Sequence, residues 1–370
     1  MDLHDQYGLT RVVNARGPFT PLGVSRTDPE VAAATAEALG GFFVMDELQA
    51  LASRELAAAT GAEAGTVVHC TASAITLAVA ASMAGESPER VAALPDTAGM
   101  PARAVLPAGH AVDYGQPIVQ AVRLSGATAV LAGSGTECTA EDLARALDHP
   151  GTACLLLVSS RLTRGAVPFA DAVAAAHRLG VPVVVDGAAQ VLRVRELLAT
   201  GADLVLVSGQ KYLGAPTAGL VLGRAGLIAA VRAQEKGIGR GMKATKEAIL
   251  GVLAALRLSR EGSADDPGAW RKQAERVARF AQRAAELPGI EAAAAPDPTG
   301  LPFPRVGLRV DASRAGMDAK ALAAALRSGS PQIWVIDQDA DRGRLLLELV
   351  PLTDAEVELV LARLALLIAG

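Results

Sequence analysis

The chain has 370 residues, 51% of them hydrophobic and 20% charged, so it can bury a substantial core and is not disordered. A formal charge of −4 argues against nucleic acid as the main partner, because phosphate binding wants a basic surface. Mean hydropathy is +0.31, yet no apolar stretch reaches the roughly 18–20 residues of a membrane span.

The start, MDLHDQYGLTRVVNARG, has no positive segment followed by an apolar one, so no secretory signal is expected and the cytoplasm is the expected compartment. Residues 29–60 read as helical, entered at Asp28-Pro29, an N-cap with a first-turn proline. From about 65 to 235, short apolar runs at 66–70, 103–106, 127–131, 153–158, 181–185 and 202–207 read as strands. Helical stretches at 139–147, 170–179 and 191–199 alternate with them, and 217–224 can add a further strand. That alternation predicts an α/β fold with a doubly wound, mainly parallel sheet. A long helix follows at 244–260, then a Gly/Ser/Asp/Pro-rich break at 261–269 and a helix to about 286. Strands near 290–295, 305–310, 332–336 and 344–349, with helices at 317–327 and 353–369, predict a smaller C-terminal α+β domain. The expected division is 1–60 as a segment packing on both domains, 61–255 as the large domain and 256–370 as the small one. Cys70, Cys138 and Cys154 form no metal-type spacing and read as small core residues of a reducing compartment. His69 and His177 read as structural, and no metal is expected.

The chemistry concentrates at 181–224. Asp186 directly follows a buried strand, and Lys211 lies 25 residues later, just beyond another. One crossover separates them, so both should emerge at the carboxyl edge of the sheet, where open α/β sheets bind ligands. A carboxylate and an amine held this way suit pyridoxal 5'-phosphate (PLP), with Lys211 as Schiff-base lysine and Asp186 keeping the pyridine nitrogen protonated. Ser208 is placed to reach the cofactor phosphate, and Ala188 and Gln210 lie in the same two loops. Thr71, Ala72 and Ser73 stand at a strand-to-helix junction, an anion site in the making. His110 is expected over the face of the cofactor ring, with Tyr114 as the alternative. Arg240, in a glycine-interrupted loop near Lys243 and Lys246, suits a substrate carboxylate. Asn14 and Arg16 are expected at the mouth of the site.

At these residues the sequence resembles fold-type-I PLP enzymes of the selenocysteine-synthase-like family, in the tRNA-independent branch typified by D-glucosaminate-6-phosphate ammonia-lyase. VVNARGPFTPLGVSRTDPEV, DELQ, TGAEAGTVV, GVPVVVDGAAQ, ADLVLVSGQKYLGAPTAGLVLGR and IGRGMKATKEAILGVLAAL carry the resemblance in family order, over nearly the whole chain. Gly209-Gln210-Lys211 and Ala215-Pro216-Thr217 depart from the usual family triplets, and these side chains are expected to face the substrate. The resemblance implies Cα deprotonation of a small amino acid or amino sugar acid, then β-elimination with ammonia release. A racemase or epimerase is the alternative. Transamination, selenium transfer on tRNA and a non-catalytic role rank lower, the last two because the tRNA-binding extension is missing and the Asp–Lys pair is intact. It also implies a homodimer or dimer-based oligomer, with Arg240 or the 11–25 loop entering the partner's site.

Overall fold

The computed structural model describes residues 2–165, 167–262 and 267–369. The described strands, in chain order, are β1 (Val12–Asn14), β2 (Ala64–Val68), β3 (Arg103–Pro107), β4 (Thr128–Ala132), β5 (Thr152–Val158), β6 (Val183–Asp186), β7 (Leu204–Ser208), β8 (Gly219–Gly223), β9 (Ile290–Ala295), β10 (Arg305–Val310), β11 (Gln332–Trp334) and β12 (Arg344–Leu347). Two compact units contain them. One is Thr27–Glu261; the other joins the residues up to Arg26 to those from Gly262 onward.

In the larger unit seven strands form one sheet in the order β2-β8-β7-β6-β5-β3-β4. Only β8 runs against its neighbours. The predicted mainly parallel sheet is therefore present, with its strand order, not its strand direction, reversing between β3 and β5, a topological switch point. Alternate residues of the strands feed two apolar layers. Val105, Leu155, Val183, Val205 and Leu222 face one; Leu106, Leu156, Val184, Leu206 and Val221 face the other. Strands apolar on both faces are what a sheet covered on both sides requires. The helix Thr71–Ala84 is buried around most of its circumference within the second layer.

Local chemistry sets several boundaries. Glu30 N–H donates to the Asp28 carboxylate at 2.8 Å, the expected cap. The single helix expected over 29–60 is two, Pro29–Leu39 and Met45–Thr60, because Gly40-Gly41 ends the first. The helix Ala140–Leu147 opens on a capping box between Thr139 and Asp142. The first strand of the sheet stops at Val68 rather than Cys70. Beyond that residue the chain pairs with Met242 and Lys243 instead, leaving His69 exposed. His177 does serve the framework: its Nε2 lies 2.8 Å from the buried carboxylate of Asp203, which also accepts from Val183 N–H.

The smaller unit holds an antiparallel sheet, β12-β10-β9, and the parallel pair β1-β11. The pair joins Val12 to Gln332, and Val13 and Ala15 are buried in this unit's core, so residues 2–26 group with this unit. Arg16 strengthens the join through Asp337 at 2.7 Å and by stacking over Phe19. Residues 27–60, expected in the same bridging segment, pack on the large sheet through Leu48, Ala52 and Leu56. The break predicted at 261–269 includes residues 263–266, which lie outside the described residues; helices Lys246–Gly262 and Pro267–Ala284 flank it. Among the described residues no helix is long and apolar enough to cross a membrane.

Candidate active site

The carboxyl ends of β6 and β7 make the first corner of the site. Asp186 closes β6, and its Oδ1 accepts from Ala188 N–H at 3.1 Å. Ser208 closes β7 and donates its N–H to Ala188 O at 3.0 Å. Asp186, Ala188 and Ser208 are thus locked together by backbone hydrogen bonds. Gln210 and Lys211 follow in a loop closed by Gly214 N–H to Lys211 O and Ala215 N–H to Gly209 O. Gly214, at φ +69°, takes the left-handed conformation that this turn needs.

Asp186 is 5% exposed. Burial pushes its carboxyl up to about 6, against the pull of Lys211 and of the Ala188 N–H. Burial likewise lowers the Lys211 amine, against the pull of Asp186. Both shifts follow from desolvating the charged form. Such a desolvated pair at the carboxyl edge of a sheet is the arrangement in which reactive groups are found.

The second corner is the N-terminus of the Thr71–Ala84 helix. Gly219 of β8 pairs with both Val68 and Ser208. A Cβ on Gly219 would lie 2.5 Å from the Cys70 carbonyl and 2.9 Å from Thr71 N, so the helix start is pressed against β8 beside Ser208. Cys70 at the N-cap supplies no side-chain acceptor to the first turn. Thr71 Oγ1 is buried without a hydrogen-bond partner. The unspent amides of residues 71–73 and this orphaned hydroxyl, at the positive end of a 14-residue helix, form a cradle for a phosphate. Ser73 Oγ lies 3.3 Å from Cys70 Sγ.

The region after β3 corrects one expectation. His110 is fully buried, with Nδ1 accepting from Val158 N–H at 2.9 Å. Its proton therefore sits on Nε2, which has no partner, and burial lowers the imidazole to about 4, keeping it neutral. A ring with no exposed face does not lie over a ligand, so His110 is a packing residue beneath the switch point. Tyr114, four residues on, remains 40% exposed. Burial of its phenol, then the nearby Asp186 and Cys70, raise its pKa well above the usual tyrosine value. Tyr114 is the aromatic ring within electrostatic reach of Asp186.

Cys138 and Cys154 are buried as expected, whereas Cys70 is half-buried at the site. The sequence signal for that was its place in HCTAS, one residue before the anion cradle. Arg240 lies in the turn Ile238–Met242, drawn to the end of β2 by His69 N–H to Met242 O at 2.8 Å. Its side chain is exposed. Asn14 and Arg16 fall in the smaller unit. There Asn14 braces its own turn, donating to Gly17 O and accepting from Arg16 N–H. Among the described residues no group of three His, Cys, Asp or Glu could hold a metal ion.

Comparison with known proteins adds four findings. The sequence profile described as "SelA: L-seryl-tRNA selenium transferase" matches residues 122–267. D-glucosaminate-6-phosphate ammonia lyase of Salmonella typhimurium is 35% identical over 98% of this chain and 97% of its own. A solved D-glucosaminate-6-phosphate ammonia-lyase structure superposes with a TM-score of 0.89 at 34% identity, covering 100% of this chain and 98% of that one. A 5'-C-glycyluridine monooxygenase-decarboxylase from a Streptomyces species is 38% identical over 92% of this chain and 86% of its own.

Proposed function

The chain belongs to the selenocysteine-synthase-like family of fold-type-I PLP enzymes, and from that premise we propose that it is a PLP-dependent lyase that removes a β substituent from an amino sugar acid or small amino acid and releases ammonia. The observation that carries this reading is the desolvated Asp186–Lys211 pair beside an uncapped helix N-terminus with an orphaned Thr71 hydroxyl. Those residues fit PLP in charge and chemistry. When bound, PLP supplies a covalent hold on the substrate nitrogen and a ring that takes up charge from Cα.

The rest is done by side chains of the chain itself. Lys211 Nζ is the attachment point for the cofactor and the base for the Cα proton. Its lowered pKa leaves more neutral amine near pH 7 than a solvated lysine has. Asp186 holds the ring nitrogen in its protonated form, which also relieves the cost of burying the carboxylate. Residues 71–73 and Ser208 would hold the phosphate, Tyr114 would supply an aromatic contact to the ring, and Gln210 would face the substrate. Arg240 binds the substrate carboxylate. We place the protein in the cytoplasm, where its three free thiols stay reduced. It works there as a homodimer or dimer-based oligomer, without nucleic acid.

A second reading, decarboxylation with consumption of oxygen, is favoured by the relative that is 38% identical. One experiment separates the possibilities. The PLP-loaded protein is incubated in D2O with D- and L-amino acids and amino sugar acids, and ammonia, carbon dioxide, oxygen uptake and Cα deuteration are scored. Ammonia with a keto acid is the expected outcome. Carbon dioxide with oxygen uptake establishes the second reading, and a deuterated enantiomer without ammonia replaces both with a racemase.

A further inference from the structure

The break between helices Pro29–Leu39 and Met45–Thr60 carries an unusual surface. Leu39, Phe42, Phe43, Val44 and Met45 are all exposed, and Phe42 is as open as an isolated residue, at 104%. The loop is held in place at both ends. Lys246 Nζ donates to Leu39 O at 3.0 Å and to Gly41 O, and it lies 5.8 Å from the Phe42 ring centroid. Arg232 grips Asp46 at 2.8 Å. A fixed display of five apolar side chains is costly in water, and a contiguous patch of this size marks an interaction surface.

We propose that this pinned loop, residues 39–45, is the contact through which a second copy of the chain docks, symmetrically, loop against loop. The proposal rests on the homodimer reading above and assigns it a surface. Area supports a second copy as the occupant. The five residues expose roughly 600 Å², so a two-fold contact would bury at most about 1,200 Å² from them, and with the flanking residues this reaches the size of a stable interface. The rim is self-complementary in charge. Glu37, Asp46 and Glu47 are exposed on the loop's own flanks, while the two clamping residues, Arg232 and Lys246, bring positive charge to it. A two-fold axis sets the acids of one copy against the bases of the other.

Sedimentation velocity on the PLP-loaded full chain, over a range of concentrations, tests this. Four proteins are compared: wild type, the double variant Phe42→Asp/Val44→Asp, Lys246→Met, and Leu179→Asp as an exposed apolar control outside the loop. Wild type should sediment as a dimer or a multiple of one. The double variant should dissociate at least a hundredfold more readily, with unchanged circular dichroism and PLP uptake. Lys246→Met keeps the apolar side chains but frees the loop, and should weaken assembly about tenfold; Leu179→Asp should not alter it. A dimeric wild type whose double variant dissociates no more readily overturns the loop assignment alone. A wild type that stays monomeric at every concentration overturns the homodimer reading itself and leaves the loop to another partner.

Discussion

Asp186 and His110 lie on either side of β5, both meeting Val158, and pull stability in opposite directions with pH. Folding raises the Asp186 carboxyl from its ordinary 3.8 to about 6, so the fold binds this proton more tightly than the unfolded chain does. Its contribution is full below about pH 4 and lost by about pH 6, a change of about 3 kcal/mol. Folding lowers His110 from 6.5 to about 4, so its contribution is full above pH 6.5 and is lost on acidification through the same window, again about 3 kcal/mol. In the cofactor-free protein the two nearly cancel. Asp186→Asn should uncover His110: unfolding free energies of the variant from urea titrations should rise between pH 4 and 6.5 by about 3 kcal/mol more than those of wild type. Parallel profiles would remove the buried, titrating carboxyl from the account. The same variant should retain some PLP and slow turnover by about a hundredfold or more, because the ring nitrogen loses its charged partner. Lys211→Ala should abolish the borohydride-reducible adduct; an adduct found by mass spectrometry on Lys243 or Lys246 would move the assignment there. Tyr114→Ala should weaken PLP binding about tenfold, the scale of one lost aromatic contact, while Tyr114→Phe should bind nearly as wild type. Equal retention by both variants would leave the ring face to another residue.

Among the elements, the contact between β8 and the Thr71–Ala84 helix decides whether the anion cradle has its shape. Gly219 is where the two meet, with room for no side chain between β8 and the Cys70 carbonyl. Gly219→Ala must therefore push the helix start away from Ser208, since backbone on both sides leaves nothing flexible to yield. We expect the protein to fold with a stability loss of about 1–3 kcal/mol and to bind PLP at least tenfold more weakly. Fluorescence titration with PLP, beside thermal melts of the cofactor-free protein, measures both. An unchanged dissociation constant would show that the cradle tolerates a displaced helix. The sequence placed Thr71, Ala72 and Ser73 at this junction correctly, because a strand running into a helix is a local pattern. That glycine is required at 219 was not legible, since its neighbour is almost 150 residues away in sequence.

For the whole molecule, the exposed Arg240 gives the assembly a functional test. Lys211→Ala and Arg240→Ala subunits, each impaired alone, are mixed and allowed to exchange. If Arg240 serves the partner's site, each heterodimer has one site with both residues intact, and roughly half of the wild-type activity per heterodimer should return. Activity no greater than the sum of the parents would place Arg240 in its own subunit's site. Assembly of this kind also accounts for a chain with 3% aromatic residues that nevertheless leaves two phenylalanines in water.

The amino-acid sequence by itself determined the doubly wound sheet, the second α+β unit and the meeting of Asp186, Ser208 and Lys211 at one sheet edge. Asp186, Ser208 and Lys211 were legible because each lies at or just past the end of a wholly apolar run. Strand ends in a parallel sheet collect at one edge, so position along the chain translates directly into position in space. Tertiary structure alone decided the remainder. His110 and Tyr114 stand four residues apart in one loop, and nothing local says which ring is swallowed. The choice depends on the Val158 N–H, 48 residues away, which captures His110. The allegiance of residues 1–26 depended on pairing Val12 with Gln332, and the early end of β2 on an edge contact with Lys243. Local propensity reports the neighbours a few residues away; these outcomes were set by burial and hydrogen bonding between segments far apart in the chain, for which the sequence carries no periodic signal.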